Sequence, residues 1–445
     1  MKLPVPAPQL NELLNRHGEQ LGAVLEHHIG PEVKGAYMHW DELRHRMPPQ
    51  GLTSELWWLG TKLARSAISR TLPLVDGAQV PFRISISDSM QRRLHYIDRE
   101  AAGAIRGTDG ANDGFQNKFL IRSLIEEAMT SSQLEGAATT RVVAKEMLST
   151  GRAPRDHSER MIYNNYTVMR AISGWGSQPL TVDSILEVHR MLTHDAADPG
   201  VRPGQFRRAE DNVQVFGNDN TVLHTPPPAS QVPARLQALC DFANSNDEHA
   251  FTHPVVKAIA LHFQIGYDHP FCDGNGRTAR AIFYWSMLKS GYWMTEYLSI
   301  SSVLKKAPAQ YIRAYLHTES DGADLSYFIA QQLEVIEKAI KGLHAYISRK
   351  NEEKKQVEKV LRGRDVLGVN FNHRQRAVLA NAIQNPETDY TVASHMTAHR
   401  ISYPTALNDL NQLENHGLLV KGKSGKASIY SSVPMLSDKL GAERK

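Results

Sequence analysis

One short stretch of the chain gathers the residue types that phosphate chemistry requires. His269, Asp273, Arg277 and Arg280 fall within twelve consecutive residues, with Gly274, Asn275 and Gly276 among them. Transfer at a phosphorus centre needs charge neutralisation, a metal ion and a group that takes the nucleophile's proton. The two arginines offer the first, and their spacing of three puts both on one helix face. Asp273 is the only carboxylate of the loop and so the natural Mg²⁺ ligand, while His269 is the only candidate base. A metal set of His253, His262 and His269 is disfavoured, because the spacing fits no HExxH-like pattern.

The flanking pattern supplies elements to position these groups. Pro254 suits a first helical position, and the apolar pattern predicts a helix from there to about Gly266, with a second from near Gly276 to about Leu288. The loop therefore leads into a helix N-terminus, where unpaired N–H groups favour an anion and Gly274 and Gly276 let a phosphate approach the backbone. Upstream, Val213 to Phe216 alternates like a strand and Gly217-Asn218-Asp219-Asn220 offers a turn. Thr221 to His224 then returns before Pro226-Pro227-Pro228, so a hairpin is expected.

The stretch His269-Pro270-Phe271-Cys272-Asp273-Gly274-Asn275-Gly276-Arg277-Thr278-Ala279-Arg280 resembles, at every fixed position, the motif HPFx(D/E)GNGRxxR of the Fic family. The resemblance covers roughly Phe115 to Leu343 and implies an all-helical bundle with a small hairpin flap. It also implies a reaction: AMP passes from Mg-ATP to a Ser, Thr or Tyr hydroxyl of a target protein, or of the enzyme itself, and pyrophosphate leaves. By that resemblance His269 is the base, Phe271 anchors the loop and Asp273 holds Mg²⁺. Asn275 and the amides of Gly274 and Gly276 bind the α- and β-phosphates, Arg277 helps neutralise them, and Arg280 binds the γ-phosphate. The hairpin is the expected flap, which would hold the target by strand addition, and Tyr311 is a candidate for the nucleoside pocket.

Ser131-Ser132-Gln133-Leu134-Glu135-Gly136 is similar to the inhibitory pattern (S/T)xxxE(G/N) of the same family. Ser131, Glu135 and Gly136 are its constrained positions. By itself the pattern describes no more than a helix end stopped by Gly136. Beside the motif, it implies that Glu135 takes Arg280 in a bidentate pair and holds ATP in a pose unsuited to attack.

The expected fold is mostly α. A helical N-terminal region spans 1–106, a Fic domain with its inhibitory helix 115–343, a charged linker helix 344–371 and a winged helix-turn-helix 372–435. A Gly/Asp-rich boundary runs from Gly107 to Gly114. In the last region, helices are predicted at His373 to Ile383, Val392 to His399 and Ser402 to His416, with Leu418 to Val420 and Ala427 to Tyr430 flanking a turn at Lys423-Ser424-Gly425-Lys426.

Bulk composition bounds the remaining choices. With 445 residues, 41% hydrophobic and 22% charged, the chain reads as a multidomain globular protein. Cys240 and Cys272 lack disulfide or zinc spacing, and no stretch of about 18 apolar residues occurs, so a cytoplasmic protein without a membrane span is expected. The net charge of +4 is concentrated after Tyr346, which carries about +6. DNA binding by residues 372–435 is thus an alternative, with Lys421, Lys423 and Lys426 as phosphate contacts, although Asp409 and Glu414 on the third helix weaken it. Removal of AMP by the same site is a further alternative, and a homodimer stays open.

Overall fold

The computed structural model describes residues 2–102, 113–176, 178–195, 200–217, 219–246, 251–362, 365–366, 369–386, 388–424 and 427–441. The boundary expected at Gly107 to Gly114 lies largely outside them, as do Asn218 of the flap turn and Gly425 and Lys426 of the last turn. The chain divides into two compact units, Met1–Lys341 and Gly342–Lys445.

The first unit is built around two helices, Pro254–Asp268 and Asn275–Lys289. Val255, Ile259, Leu261, Phe263 and Ile265 of the first and Ala279, Ile282 and Met287 of the second are fully buried. Helices apolar on every side belong in a core. Asp113–Leu134, His157–Ser173, Val182–Thr193 and Val232–Asn244 pack round this pair. The flap is a short antiparallel hairpin, Val215–Phe216 with Val222–His224, and Phe216 is exposed on it.

The N-terminal region is mostly helical, but its apolar pattern conceals a hairpin. Ser69–Val75 pairs with Pro81–Ser85, and Phe82 and Ile84 point inward. Phe82 meets Phe263 and Tyr267 edge-on, at 5.1 and 5.4 Å between ring centroids. The period of two at Leu72, Leu74, Phe82 and Ile84 is interrupted by Pro73 and a turn, so a helical reading overran it. Backbone bonds from Arg83 to Ala323 and from Leu325 to Arg83 tie the hairpin to the segment that precedes the helix Ser326–Arg362.

Buried charge fastens the same seam. Lys62 Nζ donates to Asp321 Oδ1 at 2.8 Å, and Arg65 stacks 3.7 Å from the Tyr37 ring while donating to Tyr327, Pro31 and Met38. With the Asp321 side chain fully buried and that of Lys62 only 8% exposed, loss of one partner leaves a charge without compensation. Asp321→Ala is therefore expected to destabilise the first unit by about 3–5 kcal/mol. Guanidinium denaturation of wild type and variant checks this, and a change below about 1 kcal/mol would show that water reaches Lys62.

The limit placed at 343 lies beside the division at Lys341/Gly342, within one helix, Ser326–Arg362, whose outer face carries the i,i+4 pairs Glu334–Lys338 and Glu337–Lys341. The second unit contains helices His373–Gln384, Val392–His399 and Tyr403–Asn415 and a three-stranded antiparallel sheet. In that sheet Ala427–Ser432 lies between Tyr390–Thr391 and Leu419–Ser424. Asp409 does not face outward as its place in the sequence suggested. It is buried, accepts from Arg374 Nε at 2.7 Å and Nη2 at 3.1 Å, and meets Asn372 and His395. Its charge is therefore spent inside the unit and does not count against an anionic partner.

Candidate active site

The loop between the two central helices begins with a residue in the left-handed conformation. His269 ends the first helix at φ 46°, a region that favours Asn, Asp and His among residues other than glycine. Its Nδ1 lies 2.8 Å from the carbonyl of Gly266, and a carbonyl only accepts. The proton therefore sits on Nδ1, and Nε2 keeps its lone pair. Burial lowers the imidazole to about 4, so it is neutral near pH 7.

The next residues are held from below. Phe271 is fully buried and stacks on His189, with centroids 3.7 Å apart and planes 4° from parallel. Asn275 uses its side-chain amide on the loop itself: Oδ1 accepts from Phe271 N at 3.0 Å and Nδ2 donates to Phe271 O at 2.8 Å. The side-chain amide thereby braces the loop backbone. Arg277 is held from below as well. It is fully buried, with Nη2 on Asp273 Oδ2 at 2.7 Å and Nη1 on the Leu192 carbonyl at 3.3 Å. Arg277 thus orients the carboxylate of Asp273, which stays one-third exposed at the loop surface.

The second helix starts after Gly274, at φ 80°, so its first N–H groups open toward the loop surface. Glu135 sits over that opening. A methyl group at Gly276 would collide with Glu135 Oε1, which places the carboxylate where an anion is attracted to the helix N-terminus. The same oxygen accepts from Arg280 Nη2 at 2.7 Å. The pair is single-armed rather than bidentate: Nε of Arg280 goes to Ser131 Oγ at 2.8 Å, and Nη2 also meets the Ser131 carbonyl at 3.0 Å. The helix Asp113–Leu134 that carries these groups ends in a turn with Gly136 at φ 95°. Tyr311 lies behind Arg280 and hydrogen-bonds His262 at 2.8 Å, with its phenol raised by burial and eased by Arg280.

The described residues hold no group of three or more His, Cys, Asp or Glu side chains able to bind a metal unaided. A lone exposed carboxylate fits Mg²⁺ of the kind that arrives with phosphates and keeps several waters. Asp273, braced by Arg277, is such a donor.

Residues 179–287 match the Fic/DOC family. The chain carries a Fic/DOC domain. Over 218 residues it is 31% identical to the protein adenylyltransferase Fic of Drosophila yakuba, covering 45% of this chain and 39% of that protein. The protein adenylyltransferase Fic of Nematostella vectensis is 30% identical over 185 residues, 40% of this chain and 38% of its own length. The match thus spans well under half of these relatives. Among solved structures, a Fic family protein from Desulfovibrio desulfuricans G20 aligns with a TM-score of 0.48 at 20% identity, over 77% of this chain and 96% of its own. Fic-1 of C. elegans aligns with a TM-score of 0.48 at 19% identity, over 77% and 90%.

Four contributors to the site escaped the sequence reading. In the Fic/DOC domain, His189 accepts from Gly204 N at its Nδ1 and so donates from Nε2 to the Asp273 carbonyl at 2.9 Å, a fixed neutral tautomer that burial lowers to about 4. Arg207 donates to the carbonyls of His269, Asp268 and Pro227. His224 at the flap's end faces the Tyr267 carbonyl with Nε2 and Glu319 with Nδ1. Glu127, two turns before Glu135 and outside the matched segment, is buried against Ser299 and Ser301 and raised by that burial. A lone histidine or arginine far along the chain carries no local signal of such contacts.

Proposed function

We propose that the protein transfers AMP from Mg-ATP to a Ser, Thr or Tyr hydroxyl of a target protein or of itself, and that Glu135 restrains it. The observation that carries this reading is the placement of one carboxylate, Glu135, on both Arg280 and the helix N-terminus at Gly276. A nucleotide's phosphates would want those two positions. The names of the relatives support adenylyl transfer as the chemistry. In the reaction the target hydroxyl attacks the α-phosphorus, the bond to the β-phosphate oxygen breaks and pyrophosphate departs. Nε2 of His269 takes the hydroxyl proton. Mg²⁺ on Asp273 would supply charge neutralisation for the phosphates. Backbone amides of Gly274 to Gly276 and Arg280 would hold the nucleotide, and Tyr311 would line its nucleoside end. Incubation with α-labelled ATP, in wild-type and Glu135→Gly forms, tests the reading. Absence of label in both forms, with ATP bound, would end it.

The tautomer of His269 gives a pH expectation. Its folded pKa of about 4 lies below the ordinary value near 6.5, so the neutral base persists as pH falls. The rate at pH 5.5 should stay within about twofold of that at pH 7, whereas an unperturbed imidazole would lose about tenfold. Initial rates across that interval decide.

Removal of AMP is a second reading, favoured by the proximity of Glu135 to His269, whose imidazole it acts on electrostatically. There the carboxylate would align a water. For the second unit we propose a winged-helix module in residues 372–435, on the order of its three helices and three strands. Lys421 and Lys423 are exposed on its hairpin, which suits an anionic partner such as DNA.

A further inference from the structure

At the ends of the two central helices remote from His269 lies an open cavity of about 1320 Å³. It sits between the N-terminal strand Ser69–Val75 and the segment that leads into Pro254. Each central helix has fifteen residues, so the cavity is about 22 Å from the catalytic loop. It is separate from the loop where Glu135 meets Arg280.

The described lining is positively charged. Arg70, Arg83, Lys257 and Lys289 line it, together with serine and threonine hydroxyls, and among the described lining residues there is no carboxylate. None of the four cations forms an ion pair among the described residues. Arg70 donates to the Phe251 carbonyl, Arg83 to Gly322, Lys257 to Ser245 and Lys289 to Asn244 Oδ1. Each hydrogen bond uses a neutral acceptor, and Lys257 and Lys289 lie over the rings of Phe242 and Trp285, 5.4 and 4.8 Å from the centroids. Burial lowers both lysines, and the charge of Lys289 lowers Lys257 further. Mutual repulsion of this kind is relieved when an anion enters. At the rim, the ring of Phe251 is 63% exposed.

We propose that this cavity is a second ligand site, which takes a nucleoside polyphosphate with its phosphates among Arg70, Arg83, Lys257 and Lys289 and its base on Phe251. Four cations along one lining match a chain of three phosphates better than a single phosphate. An exposed aromatic beside them gives a base a stacking surface. The volume exceeds that of most small-molecule pockets, leaving space for base, sugar and phosphates together. Occupancy would join the N-terminal hairpin to the central helices and so act on the unit that bears the loop. The proposal does not depend on the chemistry assigned to His269.

Calorimetric titration of the full chain with inorganic triphosphate, ATP and GTP tests it. Triphosphate affinity should fall by about tenfold or more in Lys257→Gln/Lys289→Gln and in Arg70→Gln, whose side chain is exposed and whose folding is least at risk. In the Arg280→Ala background, where the loop has lost its own phosphate partner, the remaining triphosphate binding should show the same dependence on these cations. A base should add affinity in wild type and add none in Phe251→Ala. Equal triphosphate affinity in wild type and both cation variants would overturn the proposal. So would loss of binding in Arg280→Ala alone, which would put all phosphate at the loop. Tighter binding of a single-stranded oligonucleotide or an acidic peptide than of either nucleotide, through the same residues, would overturn the ligand class.

Discussion

Glu135→Gly should raise the initial rate of AMP transfer by about ten- to a hundredfold at a fixed ATP concentration. The carboxylate holds Arg280 Nη2 at 2.7 Å and covers the amides at Gly276, so it competes for both places that a polyphosphate would use. One charge-assisted hydrogen bond contributes about 1.5–3 kcal/mol, and that range converts to the stated gain when the inhibited and competent states exchange. The bond is single-armed, which sets the upper end. Ser131 holds Nε of the same guanidinium with a hydroxyl and supplies a carbonyl besides, so Arg280 keeps its place when Glu135 goes. Ser131→Ala should accordingly have a smaller effect than Glu135→Gly. If Glu135 were only a helix-end residue, its loss would change stability by less than about 0.5 kcal/mol and leave the rate alone. Rates of self-labelling for the two proteins separate these outcomes, and equal rates would remove the restraint from the account.

The parts of this site legible in the sequence are those set by neighbours in the chain. Pro254 and the apolar run after it announce the first helix, and Gly274 to Gly276 announce the start of the second. Glu135 and Arg280 were paired through a family pattern, because a separation of 145 positions offers no local reason for them to meet. Not legible were the protein partners that depend on which way a side chain turns. Asn275 and Arg277 look equally suited to a phosphate in sequence, yet burial sends the first to the Phe271 backbone and the second to Asp273. The hairpin Ser69–Val75 with Pro81–Ser85 was missed for a related reason. Its inward residues are paid for by Phe263 and Tyr267, nearly two hundred residues away, and not by a strong local period.

His269→Ala, placed in the Glu135→Gly background so that a rate exists to lose, should lower AMP transfer by about 10²–10⁴-fold, the usual contribution of a positioned base. ATP affinity should change by less than about twofold, because the base acts on the target hydroxyl and not on the phosphates. One complication is structural. The Nδ1 proton of His269 caps the Gly266 carbonyl, and the left-handed backbone there starts the loop, so alanine could act by loosening the loop. His269→Asn separates the two. Its side-chain N–H can reach the same carbonyl and asparagine tolerates the left-handed region, but it has no lone pair in the place of Nε2. If proton removal is the role of His269, the asparagine variant is as slow as the alanine variant and melts at the wild-type temperature. Recovery of transfer in His269→Asn to within about tenfold of the parent would make the residue a brace for the loop. The base would then have to be sought elsewhere in the site.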